Sequence, residues 1–235
     1  MTSPALNDLP PEDSEPAAEA PAAPGPVTAE ALAAFLAARM CHDYISPAGA
    51  IVSGLDLLED PSAQDMREDA LGLIATSAKK LVALLQFDRI AFGASAAAES
   101  FNVGVLEALT RDVFAHIRAD LVWAVEPAGL PKPAARALLN MAQIAGAALP
   151  TGGIATLTVT VDEAGETLIV AQSAGPRARL RPEVLAGLQG LPMADGLSGH
   201  WVQAYYLHGI LASAGGTLEA EAELENVVVR ARLPG

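Results

Sequence analysis

From Leu32 to Leu58 the large apolar residues fall at Leu32, Leu36, Met40, Tyr44, Ile51, Leu55 and Leu58, with Ala48 filling the gap. Steps of three and four make one stripe along a helix. Thr28 suits the N-cap position and Glu30 the first turn, so this helix is expected from Thr28 to about Leu58. Glu59-Asp60-Pro61 reads as a turn, in which Asp60 can cap a second helix and Pro61 fits its first position. That helix is expected from about Pro61 to Phe92, with Met66, Ala70, Ile74, Ser77, Leu81, Leu84 and Leu85 inward and Gly93 ending it. Two long helices joined by a short turn form an antiparallel hairpin. A hairpin this long cannot cover its own apolar stripe. Two of them paired as a four-helix bundle can, so a homodimer is expected.

The pattern changes after residue 93. Residues 103–118 read as a helix and 121–125 as a short strand, followed by a helix over 133–149. Ile154 to Val161 alternates with Thr, a strand pattern, and Leu168 to Ala171 pairs with it across Glu163-Ala164-Gly165. Helices are expected at 182–189 and 200–213, then a hairpin of Thr217–Ala222 with Val227–Leu233. The fold class is therefore α+β. It comprises an N-terminal dimerising hairpin domain over 28–95 and a mixed α/β domain over 100–235. Residues 1–27, rich in Pro, Ala and Glu, read as a disordered acidic tail.

Charge narrows the partners. The net charge is −14; five acids and no bases lie in residues 1–27, which leaves −9 on the rest. A phosphate backbone needs a basic footprint, so nucleic acid is not an expected partner, and neither is an anionic membrane surface. No apolar run is read as approaching a membrane span, and the N-terminus lacks the pattern of a signal peptide. The single cysteine, Cys41, cannot form an internal disulfide, which suits the cytoplasm. Cys41 itself reads as a small packing residue.

One run carries chemistry: Arg39-Met40-Cys41-His42-Asp43-Tyr44-Ile45-Ser46-Pro47. At ~100° per residue His42 lies roughly 200° from Met40 and Tyr44 and roughly 180° from Ile51, away from the apolar stripe. An exposed imidazole beside an acid is available as a nucleophile or proton carrier. Asp43 reads either as a solvated helix residue or as the acceptor that orients the ring. Ser46 lies one turn after His42 on the same face, and Pro47 frees a backbone carbonyl. Both residues mark either a docking turn or a simple bend. Arg39 is either a solvated arginine or a contact for a partner or an anion. Ala38, Ile45 and Gly49 should form a flat apolar rim around His42. His116 reads as structural. His200 and His208, eight residues apart, have no third ligand nearby, so no metal site is expected.

The run His42-Asp43-Tyr44-Ile45-Ser46-Pro47 resembles the phosphoacceptor box of sensor histidine kinases, with Tyr44 at the usual aliphatic position and Ile45 replacing the usual base. The second domain is similar to the ATP-binding domain of those kinases, with departures. Leu138-Leu139-Asn140-Met141-Ala142-Gln143-Ile144-Ala145 is similar to the Asn-containing helix, and the magnesium-holding Asn falls at Ile144. Residues 169–176, ending in Ser173-Ala174-Gly175-Pro176, are similar to the Asp-x-Gly-x-Gly box. There the adenine-reading Asp falls at Ser173, the box keeps Gly175, and its last Gly falls at Arg177. Asp195-Gly196-Leu197-Ser198-Gly199-His200 stands where the second Gly-rich loop belongs, with too few glycines and bulky His200 and Trp201. An aliphatic side chain cannot ligate a hard cation, and a serine does not reproduce an ionic acceptor for the adenine amino group.

A dimeric histidine hairpin with an ATP domain stripped of its ATP contacts resembles the ChpT-type histidine phosphotransferases. The likeness runs from about residue 30 to 235 and is tightest over 39–93. It implies that His42 takes a phosphoryl group from the receiver domain of a hybrid histidine kinase and passes it to receiver domains of response regulators. Cell-cycle control is one implied setting. No ATP is expected, and Mg²⁺ is expected only in the partner receiver. Asp43 would assist His42, with Arg39, Ile45, Ser46, Pro47 and Gly49 supporting it or meeting the receiver. Arg177, Arg179 and Arg181 could meet an acidic receiver face or steady the former nucleotide pocket. Two other readings stand beside this one: an active kinase using ATP directly, and a non-enzymatic dimeric scaffold for receivers.

Overall fold

The computed structural model describes residues 27–93, 99–192 and 199–235, with side chains from residue 201 onward in the last segment. The expected acidic tail and most of the expected second Gly-rich loop lie outside the described residues.

Helix α1 spans Ala29–Glu59 without a break at Pro47. Thr28 caps it, its hydroxyl accepting from the Ala31 N–H at 3.2 Å. The second helix starts later than Pro61. Asp60 accepts from the backbone and hydroxyl of Ser62 at 2.8 and 2.7 Å, so its carboxylate closes a local turn instead of capping a helix. A short 3₁₀ turn, Gln64–Met66, then leads into α2, Arg67–Ala91. The two helices approach closely at Gly54. A Cβ there would stand 2.6 Å from the Ile74 side chain, so only glycine fits without a shift.

The inward set on α2 holds at Ala70 and Ser77, which are buried. Met66 and Leu85 are exposed in the single chain, and burial near the end passes to Ala83, Phe87 and Ile90. The segment Gln64–Ala91 is long and apolar enough to cross a membrane by length and composition, contrary to the sequence expectation. Its charged pair Lys79-Lys80 interrupts the middle, and its apolar side chains pack on α1, α3 and α4 at the C-terminal end.

The remainder is an α/β layer. Strands β1 (Ser100–Asn102) and β3 (Gly129–Pro131) form a small antiparallel pair that the sequence reading did not anticipate. They bracket α3 (Val103–Phe114) and β2 (Ala119–Val125). Next come α4 (Lys132–Ala147), β4 (Gly153–Val161), β5 (Thr167–Ala174), α5 (Pro182–Leu188), α6 (Gly199–Ser213), β6 (Thr217–Glu223) and β7 (Asn226–Leu233). The five-stranded sheet has the order β2-β4-β5-β7-β6, with β2–β4 parallel and the rest antiparallel. Alternation puts Leu157, Ala171 and Val229 in one inward row and Val159, Ile169 and Ala231 in the next. Helix α4 lies over these rows and is buried on nearly all sides, from Ala134 to Gly146. A helix apolar all round belongs in a core.

Candidate functional site

Helical phase places Ala38, His42, Ile45, Ser46 and Gly49 on one face of α1, and all five are exposed. The His42 side chain is 87% exposed and Ile45 is 70% exposed. A Cβ on Gly49 would meet nothing within 4 Å, so the face is open there. Cys41 is exposed as well and is not the packing residue the sequence suggested. Pro47 points the other way and is buried. Its contribution is to the shape of α1, because its missing N–H leaves the Asp43 carbonyl without a helical donor.

Asp43 backs the imidazole. His42 Nδ1 lies 3.2 Å from Asp43 Oδ1. With the proton on Nδ1 donated to that carboxylate, Nε2 keeps its lone pair and faces solvent. Arg39 Nε lies 3.6 Å from Asp43 Oδ2, one turn back on the helix. The Arg39 side chain is only 14% exposed, so it is a half-sunken ion-pair member and not a solvated arginine. Desolvation lowers its pKa, while Asp43 and Asp88 raise it.

Below this box lies a polar layer that the sequence reading missed. Asp88, on α2, is 3% exposed. Its Oδ2 accepts from the Tyr44 hydroxyl at 2.9 Å, and Gln143 Nε2 on α4 stands 3.5 Å from its Oδ1. Burial pushes the Asp88 carboxyl up to about 6, with Tyr44 and Arg39 pulling the other way. Tyr44 is driven well above the ordinary phenol range, first by desolvation and then by the adjacent Asp88 charge. Gln203 on α6 continues the layer, donating to both Gln143 and Asn140. A signal was present in the sequence. Asp88 continues the inward phase of Ser77, Leu81 and Leu84, and Tyr44 sits in the α1 stripe with a hydroxyl that needs a partner.

The residues tied to a nucleotide pocket are placed differently. Asn140 is fully buried, and its amide donates to the carbonyls of Ala91 and Arg136 at 3.1 and 2.9 Å. It therefore fastens α4 to the end of α2. Ser173 is buried, with its hydroxyl donating to the Ala145 carbonyl at 3.0 Å. Arg177 has φ +63°, a left-handed conformation that favours glycine, at the position of the box's last Gly. Gly175 packs closely on the Gly152–Gly153 backbone. Ile144, Ala148, Leu180 and Val184 line a small crevice beside Arg179 and Arg181. Ile144 thus stands at the expected cation position with no oxygen to offer, and Ser173 at the expected adenine position turns its hydroxyl inward. Among the described residues, no group of three or more His, Cys, Asp or Glu side chains could hold a metal ion. His208 Nδ1 lies 3.1 Å from the Leu188 carbonyl, while the His200 side chain lies outside the described residues.

A helical hairpin presenting an exposed, carboxylate-backed histidine, joined to a five-stranded α/β layer, is the arrangement of a histidine-based phosphotransfer protein. Residues 103–226 match the family model of the histidine phosphotransferase C-terminal domain. The chain is similar to protein phosphotransferase ChpT of Brucella abortus (strain 2308). The two are 34% identical over 209 residues, covering 88% of this chain and 98% of that protein. It superposes on a solved bacterial phosphotransferase with a TM-score of 0.79 at 33% identity, covering 89% of this chain and 100% of the other. A looser fold likeness, TM-score 0.46 at 10% identity over 81% of this chain and 95% of the other, links it to the histidine kinase domain of a blue-light activated kinase from Erythrobacter litoralis. The chain belongs to the histidine phosphotransferase family, and its activity is that of a protein phosphotransferase.

Proposed function

We propose that His42 is the phosphoryl carrier of a relay between receiver-domain aspartates. The observation that carries this reading is the 87% exposed imidazole whose Nδ1 is engaged by Asp43. In the first step the Nε2 lone pair attacks the phosphorus of a receiver's aspartyl phosphate. A P–N bond forms, the P–O bond to the carboxylate breaks, and the aspartate leaves as its anion. The second step is the reverse, onto the aspartate of another receiver. Such a transfer depends on in-line approach and charge stabilisation. The receiver supplies the magnesium as part of its own site. Here Asp43 holds the tautomer and offsets the positive charge that the ring gains on phosphorylation.

The donor in this reading is the receiver domain of a hybrid histidine kinase, and the acceptors are response regulators, with cell-cycle control as one setting and the cytoplasm as the place. Ile45, Ser46 and Gly49 supply the footprint, because they are exposed on the His42 face. ATP plays no part, a view supported by the aliphatic Ile144 at the expected cation position and by the inward Ser173. The working unit is a homodimer. Its support is the run of exposed apolar side chains Leu71, Val82 and Leu85 on α2 with Val52 and Leu55 on α1. Their helical spacing makes a stripe of the kind a four-helix bundle covers.

The test is transfer from a phosphorylated receiver to wild type and to His42→Ala. Wild type is expected to take up the phosphoryl group and the variant to stay at background. Equal uptake by both would remove His42 as carrier, and no uptake with stable binding by either would leave a receiver scaffold.

A further inference from the structure

Near the start of α1, the first turn of α4 and the second half of α6 enclose a groove of about 450 Å³. Leu32, Pro133, Tyr206 and Ile210 form its apolar walls, and Lys132 and Arg136 are its cations. None of the residues that line it is acidic. Neither Lys132 nor Arg136 enters an ion pair among the described residues. One Arg136 amino group donates to the Gly93 carbonyl, and its Nε is buried without a hydrogen-bond partner. Gly209 also lines the groove, and a Cβ there would meet nothing within 4 Å, so the space before it is open. An apolar groove with two uncompensated positive charges is unusual in a chain of net charge −14.

The chain carries a match for this groove just ahead of α1. Asp8, Glu12, Asp13, Glu15 and Glu19 precede Thr28 with no base among them, and Ala20-Pro21-Ala22-Ala23-Pro24-Gly25-Pro26 follows Glu19. Leu32 is four residues into the helix from its cap Thr28, or about 6 Å at 1.5 Å per residue, so the chain enters α1 at the rim of the groove. Glu19 is nine residues ahead of Thr28, and an extended chain of that length reaches up to about 30 Å, enough to turn back across the groove. Proline-rich chains suit apolar grooves with an aromatic wall, because their extended form loses little entropy on binding. Here Tyr206 supplies that wall, its ring held against Phe92 with centroids 5.5 Å apart.

We propose that residues 15–26 of this chain dock in the groove. The alanines and prolines lie on Leu32, Pro133, Tyr206 and Ile210, and Glu19 pairs with Lys132 beside Arg136. The docked segment straps the start of α1 to α4 and α6, the helices that carry Gln143 and Gln203. It does not rest on His42 being the carrier, and His42, ten residues further along α1 than Leu32, stays open to a receiver.

The experiment uses the full chain with Cys41→Ser and a nitroxide spin label on Ala18→Cys, and reads paramagnetic broadening of backbone amides by ¹⁵N NMR. At low salt, Gly209, Ile210, Ser213 and Lys132 should be broadened most. Raising salt to about 0.5 M, which shrinks the reach of exposed charges to a few ångström, should at least halve the effect. Lys132→Glu should weaken it likewise, and pairing Lys132→Glu with Glu19→Lys should restore it, a recovery that loss of packing would not produce. Gly209→Leu fills the groove without meeting neighbouring atoms and should remove the effect. Broadening spread evenly around the start of α1, or unchanged in both Lys132→Glu and Gly209→Leu, overturns the proposal. So does broadening of a ¹⁵N-labelled chain without nitroxide by an added spin-labelled chain, since that would seat the segment on a second copy.

Discussion

The hairpin and the α/β layer place their polar side chains in opposite ways. On α1 and α2, Val52, Leu55, Leu71, Val82 and Leu85 remain exposed, and the His42 imidazole stands in solvent. In the layer, α4 is buried almost completely, and Asn140 and Ser173 turn their polar atoms onto neighbouring backbone carbonyls. The hairpin thus leaves its histidine open to solvent, whereas the layer turns these polar groups inward. Asn140 and Ser173 spend their polar atoms on backbone carbonyls of the same layer or of α2.

The sharpest way to break this contrast is to charge the open stripe. Val82→Asp with Leu85→Asp should turn the proposed dimer into a monomer at micromolar concentration. Burying one unpaired carboxylate costs about 3 kcal/mol or more, which is about 100-fold in a dissociation constant. Sedimentation velocity reads the result, and an unchanged mass would show that the stripe is covered by something other than a second copy.

Next in size is Ser173→Asp, which restores the acid of the nucleotide box. Position 173 is buried and faces the Ala145 carbonyl, so the new carboxylate meets an acceptor and no solvent. It should destabilise the fold by about 2–4 kcal/mol in urea unfolding. It should do so without creating nucleotide binding. A variant as stable as wild type that binds nucleotide would mean the layer is less closed than described.

The smallest effect belongs to Asp88, a buried acid whose contacts reach both regions. Its folded pKa of about 6 lies above the ordinary value of 3.8. Between those values the folded chain binds a proton that the unfolded chain has released. Stability therefore falls as pH rises from 3.8 to about 6, and it is flat above. Asp88→Asn should lack that falling limb and should gain about 1–3 kcal/mol at pH 7–8. Urea unfolding at pH 5 and pH 8 checks the sign. A greater loss of stability in the variant at pH 8 than at pH 5 would contradict it.

Much of the hairpin was legible because period and phase survive in single helices. The spacing of Leu32, Leu36, Met40 and Tyr44 gave the stripe, and His42 lies opposite it as that spacing requires. Thr28 capped the helix as its hydroxyl allows, but Asp60 did not, because Ser62 offered two closer donors. The strands from 153 to 174 were readable from alternation, whereas β1 and β3, three residues each, are too short to show a period. The layer behind the box was not read because it is tertiary. Asp88 lies 44 positions from Tyr44 and 55 from Gln143, and no local pattern announces such a meeting. Membrane-length apolarity in α2 was also passed over, since Lys79-Lys80 hides it from a search for an uninterrupted run.

The most direct test of the central claim is to follow labelled phosphate to His42 from two sources. The purified chain is incubated with labelled ATP and magnesium alone, and separately with a receiver already carrying labelled aspartyl phosphate. Label is expected on His42 only from the receiver, within seconds to minutes. Label on His42 from ATP alone would contradict the account and make this protein a kinase.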